Sequence, residues 1–177
     1  TVSDPVEQIR QLLQEKEVHV TQDNTAAIQN ADVVVLAVKP QVLANVLRPL
    51  KGLLSDKLVI SIIAGAEIKT ISNLIDSERI VRVMPNTPAL VQTGAHGIYA
   101  TDVVGASDRE LTSQILAATG LTIWVNSEAQ IDAVTAVSGS GPAYFFYLME
   151  SMIRAGKNLG LDEKVATALT LQTALGA

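Results

Sequence analysis

The chain contains no cysteine, which removes disulfide frameworks, thiol nucleophiles and thiolate metal sites at once and fits a cytoplasmic setting. Basic residues are also scarce: 13 Lys and Arg stand against 18 Asp and Glu, giving a net charge of −5 and a pI near 5.0. Such a surface repels phosphate backbones, and no local cluster of Lys and Arg offers an exception, so nucleic acid is not an expected partner. No apolar run approaches the ~20 residues that span a bilayer, and the start TVSDPVEQ has no basic segment leading into an apolar one. Neither a membrane span nor a secretory signal is therefore expected. The two histidines, His19 and His96, have no second His or carboxylate at ligand spacing; they read as surface or hydrogen-bonded side chains, and no metal site is expected. A Ser-His-Asp set and paired catalytic carboxylates are missing as well.

What is present is a chain of 177 residues, 48% of them hydrophobic, long enough for a soluble globular core. Up to about Val125 short apolar runs alternate with amphipathic stretches, the pattern of strand and helix units in an open parallel sheet. Val6, Ile9, Leu12 and Leu13 share one helical face after Pro5 and predict a helix to about Glu17. A short strand Val18–Val20 follows, then a small helix capped by Asn24 or Thr25 and ending near Asn30. ADVVVLAV predicts a parallel strand buried on both faces. Pro40 opens a helix to about Leu50; then come a strand at Leu58–Ile63, a helix near Glu67–Asp76 and a strand at Ile80–Val83. MPNTP must be a loop, because two prolines flank Asn-Thr. Ala95–Tyr99 predicts a strand, Ser107–Thr119 a helix capped by Ser107, and Leu121–Val125 the final strand.

From Gln130 onward strand character stops, and helices are predicted at about Gln130–Ser138, Gly141–Leu159 and Asp162–Ala174, with Gly160 as the stop between the last two. About fifty helical residues are too few for a core of their own. Tyr144, Phe145, Phe146, Tyr147, Leu148, Met149, Met152 and Ile153 are apolar around most of their helix, so one face cannot account for them and a partner subunit is expected. The predicted division is residues 1–126 for a dinucleotide-binding domain and 127–177 for a helical dimerisation and substrate domain.

In doubly wound sheets ligands sit beyond the carboxyl ends of the strands, and AVKP, IAG and MPNTP all fall at that edge. Lys39 can set its amine against a phosphate or ribose, or merely end a strand; Pro40 fixes the turn behind it. Ala64 and Gly65 let a flat ring approach the backbone, or make a plain turn. Ser3 and Asp4 end a short strand where the acidic residue of a dinucleotide fold contacts the ribose. In SGSGP, Ser140 can cap the next helix, Pro142 suits its start, and Gly139 and Gly141 let backbones pass closely.

Four ordered segments, AVKP (Ala37–Pro40), SIIAG (Ser61–Gly65), MPNTPALVQTGAHGIYA (Met84–Ala100) and AVTAVSGSGPA (Ala133–Ala143), resemble pyrroline-5-carboxylate reductase. The resemblance implies an α/β fold, an incomplete doubly wound Rossmann-like sheet lacking its first strand-turn-helix, followed by an all-α C-terminal dimerisation region. It implies reduction of 1-pyrroline-5-carboxylate to L-proline by hydride transfer from NAD(P)H, with NADP(H) favoured over NAD(H). The basic imine nitrogen is easily protonated, so alignment rather than a dedicated strong acid is what the reaction needs. It also implies a homodimer through the C-terminal helices, with larger assemblies built from dimers. Cofactor contacts would come from Ser3, Asp4, Asn24, Val38, Lys39, Pro40, Ala64, Gly65, Met84 and Pro85, and substrate-site residues from Asn86, Ser138 and Ser140.

The family also has a GxGxM-type phosphate turn and a SPGGTT-like substrate loop, and neither occurs in these 177 residues. The chain by itself is therefore expected to bind cofactor poorly and not to turn over. Two other readings fit the pattern. A related hydroxyacid dehydrogenase would need a catalytic lysine in the helical part, where Lys157 and Lys164 sit in no such motif. A catalytically inactive dimerisation or nucleotide-sensing module would need no phosphate turn at all.

Overall fold

The structure, a computed structural model, describes residues 1–177. Five strands, β3 (Val33–Leu36), β4 (Leu58–Ser61), β5 (Ile80–Met84), β6 (Gly94–Ala100) and β7 (Gly120–Trp124), form one sheet in that spatial order. Two shorter strands, β1 (Val2–Ser3) and β2 (Val20–Thr21), pair in parallel as a separate small sheet.

The open parallel sheet is corrected in one respect. β3, β4 and β5 are parallel, but β6 runs antiparallel to β5, with Arg82 opposite Tyr99, and β7 then runs parallel to β6. The connection decides it. The stretch between Met84 and Gly94 carries only a 3-10 turn, Thr87–Val91, too short for the crossover that a parallel neighbour needs. The helix α5 (Ala106–Ala117) supplies such a crossover between β6 and β7.

A second correction concerns ADVVVLAV. Only Val33–Leu36 is strand, and Val35 is 50% exposed. Within these 177 residues β3 has a neighbouring strand on one side only, and its outward side chains are not fully covered by the segments present. β4, β5 and β6 are the interior strands, and on the first two Leu58, Val59, Ile60, Ile80, Val81 and Val83 are all buried.

One face of the sheet carries α3 (Leu43–Leu47) and α4 (Ile68–Ile75), whose Leu43, Leu47, Ile71 and Ile75 pack with Val59 and Ile80. The other carries α5, whose Leu116 joins Leu58, Ile60, Val81 and Ile98. The helix predicted from Pro40 to Leu50 is broken into 3-10, α and 3-10 pieces; Pro49 withholds the donor that would continue α3, whereas Pro40 stands at a first position where no donor is needed. The first helix, α1 (Glu7–Gln14), stops short of Glu17, whose φ of +60° leaves the helical region, and the strand after it starts at Val20 rather than Val18.

Two caps are also corrected. Asp23, not Asn24 or Thr25, caps α2 (Asn24–Ile28), its carboxylate accepting from the Thr25 N–H at 2.8 Å. Ser107 lies inside α5, whose N-cap is Gly105 with no side-chain cap.

After β7 the chain is helical. α6 (Gln130–Val134) widens into a π-turn over Thr135–Gly139, followed by α7 (Gly141–Asn158) and α8 (Glu163–Gly176). Gly160 breaks the chain between the last two at φ +97°, and Asp162 caps α8. These two helices pack closely on one another where Gly156 faces Ala166. Tyr144, Phe145, Phe146, Tyr147 and Leu148 are exposed in this chain, Phe145 by 69%. No helix is long and apolar enough to cross a membrane.

Candidate active site

Because β3, β4 and β5 are parallel, the segments leaving them, Ala37–Pro40, Ile62–Gly65 and Pro85–Asn86, emerge at one edge of the sheet. Lys39 is exposed and makes no hydrogen bond or ion pair within the chain; Val38 beside it is half-buried, and Pro40 starts the 3-10 turn. Ala64 and Gly65 are exposed. Gly65 has φ +72°, and a Cβ there would meet nothing within 4 Å, so the backbone lies open to a flat group. These loops leave open backbone and one unpaired cation, Lys39, at that edge.

Ser3, Asp4 and Asn24 lie on the small β1–β2 unit. One carboxylate oxygen of Asp4 accepts from the Val6 N–H at 2.8 Å, and the Arg10 guanidinium donates to the Asp4 carbonyl at 2.6 Å while also pairing with Glu7. A base therefore stands beside the end of β1.

The loop after β5 is joined directly to the π-turn. Asn86 accepts from the Ala95 N–H at 2.9 Å through its carbonyl oxygen and donates to the Ser138 carbonyl at 3.1 Å through its amide nitrogen. The Met84 side chain packs against Gly139, its Cε only 2.8 Å from where a Cβ would stand. Pro85, half-buried, holds the bend between these two contacts. The structure thus brings Met84, Asn86, Ser138 and Gly139 together across more than fifty residues of sequence. The Ser138 hydroxyl donates to the Val134 carbonyl at 3.1 Å. Ser140 occupies the N-cap position of α7, but its side chain makes no cap bond, correcting the expected cap; its backbone N–H instead closes the π-turn onto the Thr135 carbonyl at 2.8 Å. The Ser140 hydroxyl is therefore free for a ligand.

The chain is 49% identical, over 99% of its length, to the pyrroline-5-carboxylate reductase of Pseudomonas aeruginosa. It belongs to the pyrroline-5-carboxylate reductase family. Residues 128–177 match pyrroline-5-carboxylate reductase dimerisation, and residues 1–65 match the NADP oxidoreductase, coenzyme F420-dependent family. The reductase structure from Coxiella burnetii superposes with a TM-score of 0.93 at 44% identity, covering 99% of this chain and 66% of that one. A Plasmodium falciparum pyrroline carboxylate reductase with NADP bound gives 0.83 at 36% identity, covering 90% and 61%. The chain spans about 65% of the length of the Pseudomonas relative.

Lys157, at the end of α7, is paired with Glu163, at the start of α8, at 2.7 Å across the turn between them. Sequence reading missed Arg82 and Glu128. Arg82 is only 5% exposed, and its guanidinium lies 3.1 Å from the Glu128 carboxylate and 3.7 Å from Asp132. The available signal was an arginine inside the apolar strand IVRVM, which cannot be buried without a partner.

His96 is the hydrogen-bonded histidine expected, 2% exposed on β6. The Thr119 hydroxyl donates to the Leu116 carbonyl, so it accepts from the His96 Nε2–H at 2.9 Å and leaves Nδ1 as a bare acceptor without a partner. Burial holds its pKa below the ordinary histidine value, with Thr119 pulling the other way. A folded pKa below the unfolded one means that the unfolded chain binds the extra proton. Stability should be full above about pH 6.5 and fall as pH drops toward the folded value. Urea midpoints across that window check this, and in His96→Gln the slope should flatten; an equal slope in the variant would locate the titration elsewhere.

Proposed function

We propose that the protein carrying this chain reduces 1-pyrroline-5-carboxylate to L-proline. The observation that supports the reading is the junction of Met84–Asn86 with Ser138–Gly139, which sets the π-turn and the Ser140 hydroxyl beside the exit of β5, the side of the sheet from which Ala37–Pro40 and Ile62–Gly65 also emerge. Bound NAD(P)H would supply a hydride to the carbon of the cyclic C=N bond. The chain's own part is alignment: Ala64 and Gly65 leave room for the ring, Met84, Pro85 and Asn86 fix the wall beside it, and Lys39 offers charge to the phosphates or ribose. Ser140, and Ser138 if its hydroxyl turns from Val134, would hold the substrate carboxylate or a water. We take residues 1–126 as the dinucleotide-binding part and 127–177 as the helical part.

NADP(H) is the favoured cofactor. Asp4 would disfavour a 2′-phosphate by charge, but part of its carboxylate is occupied by the Val6 N–H, and Arg10 and the Ser3 hydroxyl stand at hand to receive one. The test follows NADPH and NADH oxidation by the full-length protein with pyrroline-5-carboxylate. Turnover with a higher kcat/KM for NADPH supports both statements. Cofactor binding without turnover would sink the reductase reading.

The active unit on this reading is a homodimer closed by the exposed aromatic helix α7. Five consecutive apolar side chains left in water are the kind of surface that a second copy covers. Phe146→Asp is then expected to weaken self-association by about thirtyfold or more, the effect of losing one central aromatic anchor. Light scattering across a dilution series reads it, and an unchanged dimer would move the interface elsewhere.

A further inference from the structure

We infer that Glu128 is a positioning residue, which ties the loop Ile62–Glu67 to the helical region and so holds the cofactor side and the substrate side in register. One oxygen of its carboxylate accepts from the Ile68 N–H at 2.7 Å and from the Arg82 guanidinium at 3.1 Å. Ile68 is the first residue of α4, directly after the Ala64–Gly65 loop, and the N-cap residue Glu67 makes no side-chain cap of its own. The donor at the head of α4 is therefore satisfied from sixty residues away, by a side chain two residues before α6.

The arrangement has a mechanical consequence. Arg82 and Asn86 hang from β5 and its exit, and they grip the two ends of one segment: Arg82 holds Glu128 and reaches toward Asp132, while Asn86 holds Ser138. β5 acts as a rail for the chain between residues 128 and 138. Only Glu128 extends the grip sideways to the loop after β4. A carboxylate at a helix N-terminus is also favoured by the helix dipole, so α4 is closed by the protein's own anion.

This inference rests on the proposed reductase reading for its kinetic readout, though not for its structural one. In full-length protein, Glu128→Ala should raise the KM for NADPH and lower kcat, each by about tenfold, because a small misplacement of the loop carries through to the reacting geometry. Glu128→Gln keeps an oxygen for the Ile68 N–H and should stay near wild type. A purely structural role would shrink the active fraction without moving KM. Glu128→Ala strands Arg82 beside Asp132 alone, so the double variant Arg82→Met/Glu128→Ala, which leaves no buried charge, is measured beside it and should show the same KM rise. Hydrogen exchange at the Ile68 amide should quicken in both alanine variants and not in Glu128→Gln. An unaltered KM in the double variant, or exchange unchanged at Ile68, overturns the inference. Should the wild-type protein fail to reduce pyrroline-5-carboxylate, that sinks the proposed function alone; exchange at Ile68 and NADPH affinity by titration still decide the role of Glu128.

Discussion

Asn86→Ala should lower pyrroline-5-carboxylate turnover by the full-length protein by about a hundredfold, the penalty typical of a misplaced reacting geometry, while leaving it folded. Both ends of the amide are in use, one on the Ala95 N–H and the other on the Ser138 carbonyl. Each bond contributes on the order of 1 kcal/mol, so their loss weakens the fold modestly. The larger effect is on position: without Asn86 the loop after β5 loses its only hydrogen bond to the π-turn that presents Ser138 and Ser140. Asn86→Asp sharpens the test. It keeps an acceptor for Ala95 but sets an oxygen against the Ser138 carbonyl, so it should be impaired nearly as much as alanine. Steady-state kinetics with circular dichroism on both variants reads the result. An unchanged kcat in Asn86→Asp would show that the tie to Ser138 does not matter for the reaction.

Gly120→Ala should cost about 3 kcal/mol or more, a loss reserved for named backbone or core defects. Gly120 opens β7 with φ +152°, and a Cβ there would lie 2.1 Å from the Gly94 carbonyl oxygen and 2.5 Å from the Gly94 nitrogen. That obstacle is backbone, so no rotamer change relieves it. Gly94 is itself pinned, its N–H donating to the Thr119 carbonyl at 2.9 Å. The expected fall in Tm is roughly 6–12 °C for a protein of this size. Thermal unfolding followed by far-UV circular dichroism reads it; a Tm equal to wild type would mean that β6 and β7 can separate at their start without penalty.

The legible parts of the site were those where local chemistry leaves one option. MPNTP had to leave the sheet because proline cannot donate to a ladder, and Met84 is indeed the last strand residue before a 3-10 turn. The exit of AVKP, IAG and MPNTP at one edge followed from the parallel strands before them. Illegible were the contacts made by side chains with no local partner. Asp23 took the cap from Asn24 through a one-residue difference in where the helix begins, which periodicity does not resolve. Ser140 sat at the cap position without capping, because its backbone, at φ −88° and ψ −15°, is helical rather than extended as a side-chain cap needs.

The sequence by itself determined the alternation of strand and helix, the change to all-helix after β7, and the family, since these rest on local patterning and on ordered motifs that survive without coordinates. Tertiary structure alone decided the direction of β6 and the closure of α4 by Glu128. Both depend on which distant residue is adjacent: a strand's direction on the length of its connection, and a buried arginine on a carboxylate 46 residues away. Hydrophobic pattern repeats every two or 3.6 residues and so records which face is buried, but carries nothing about what lies against it.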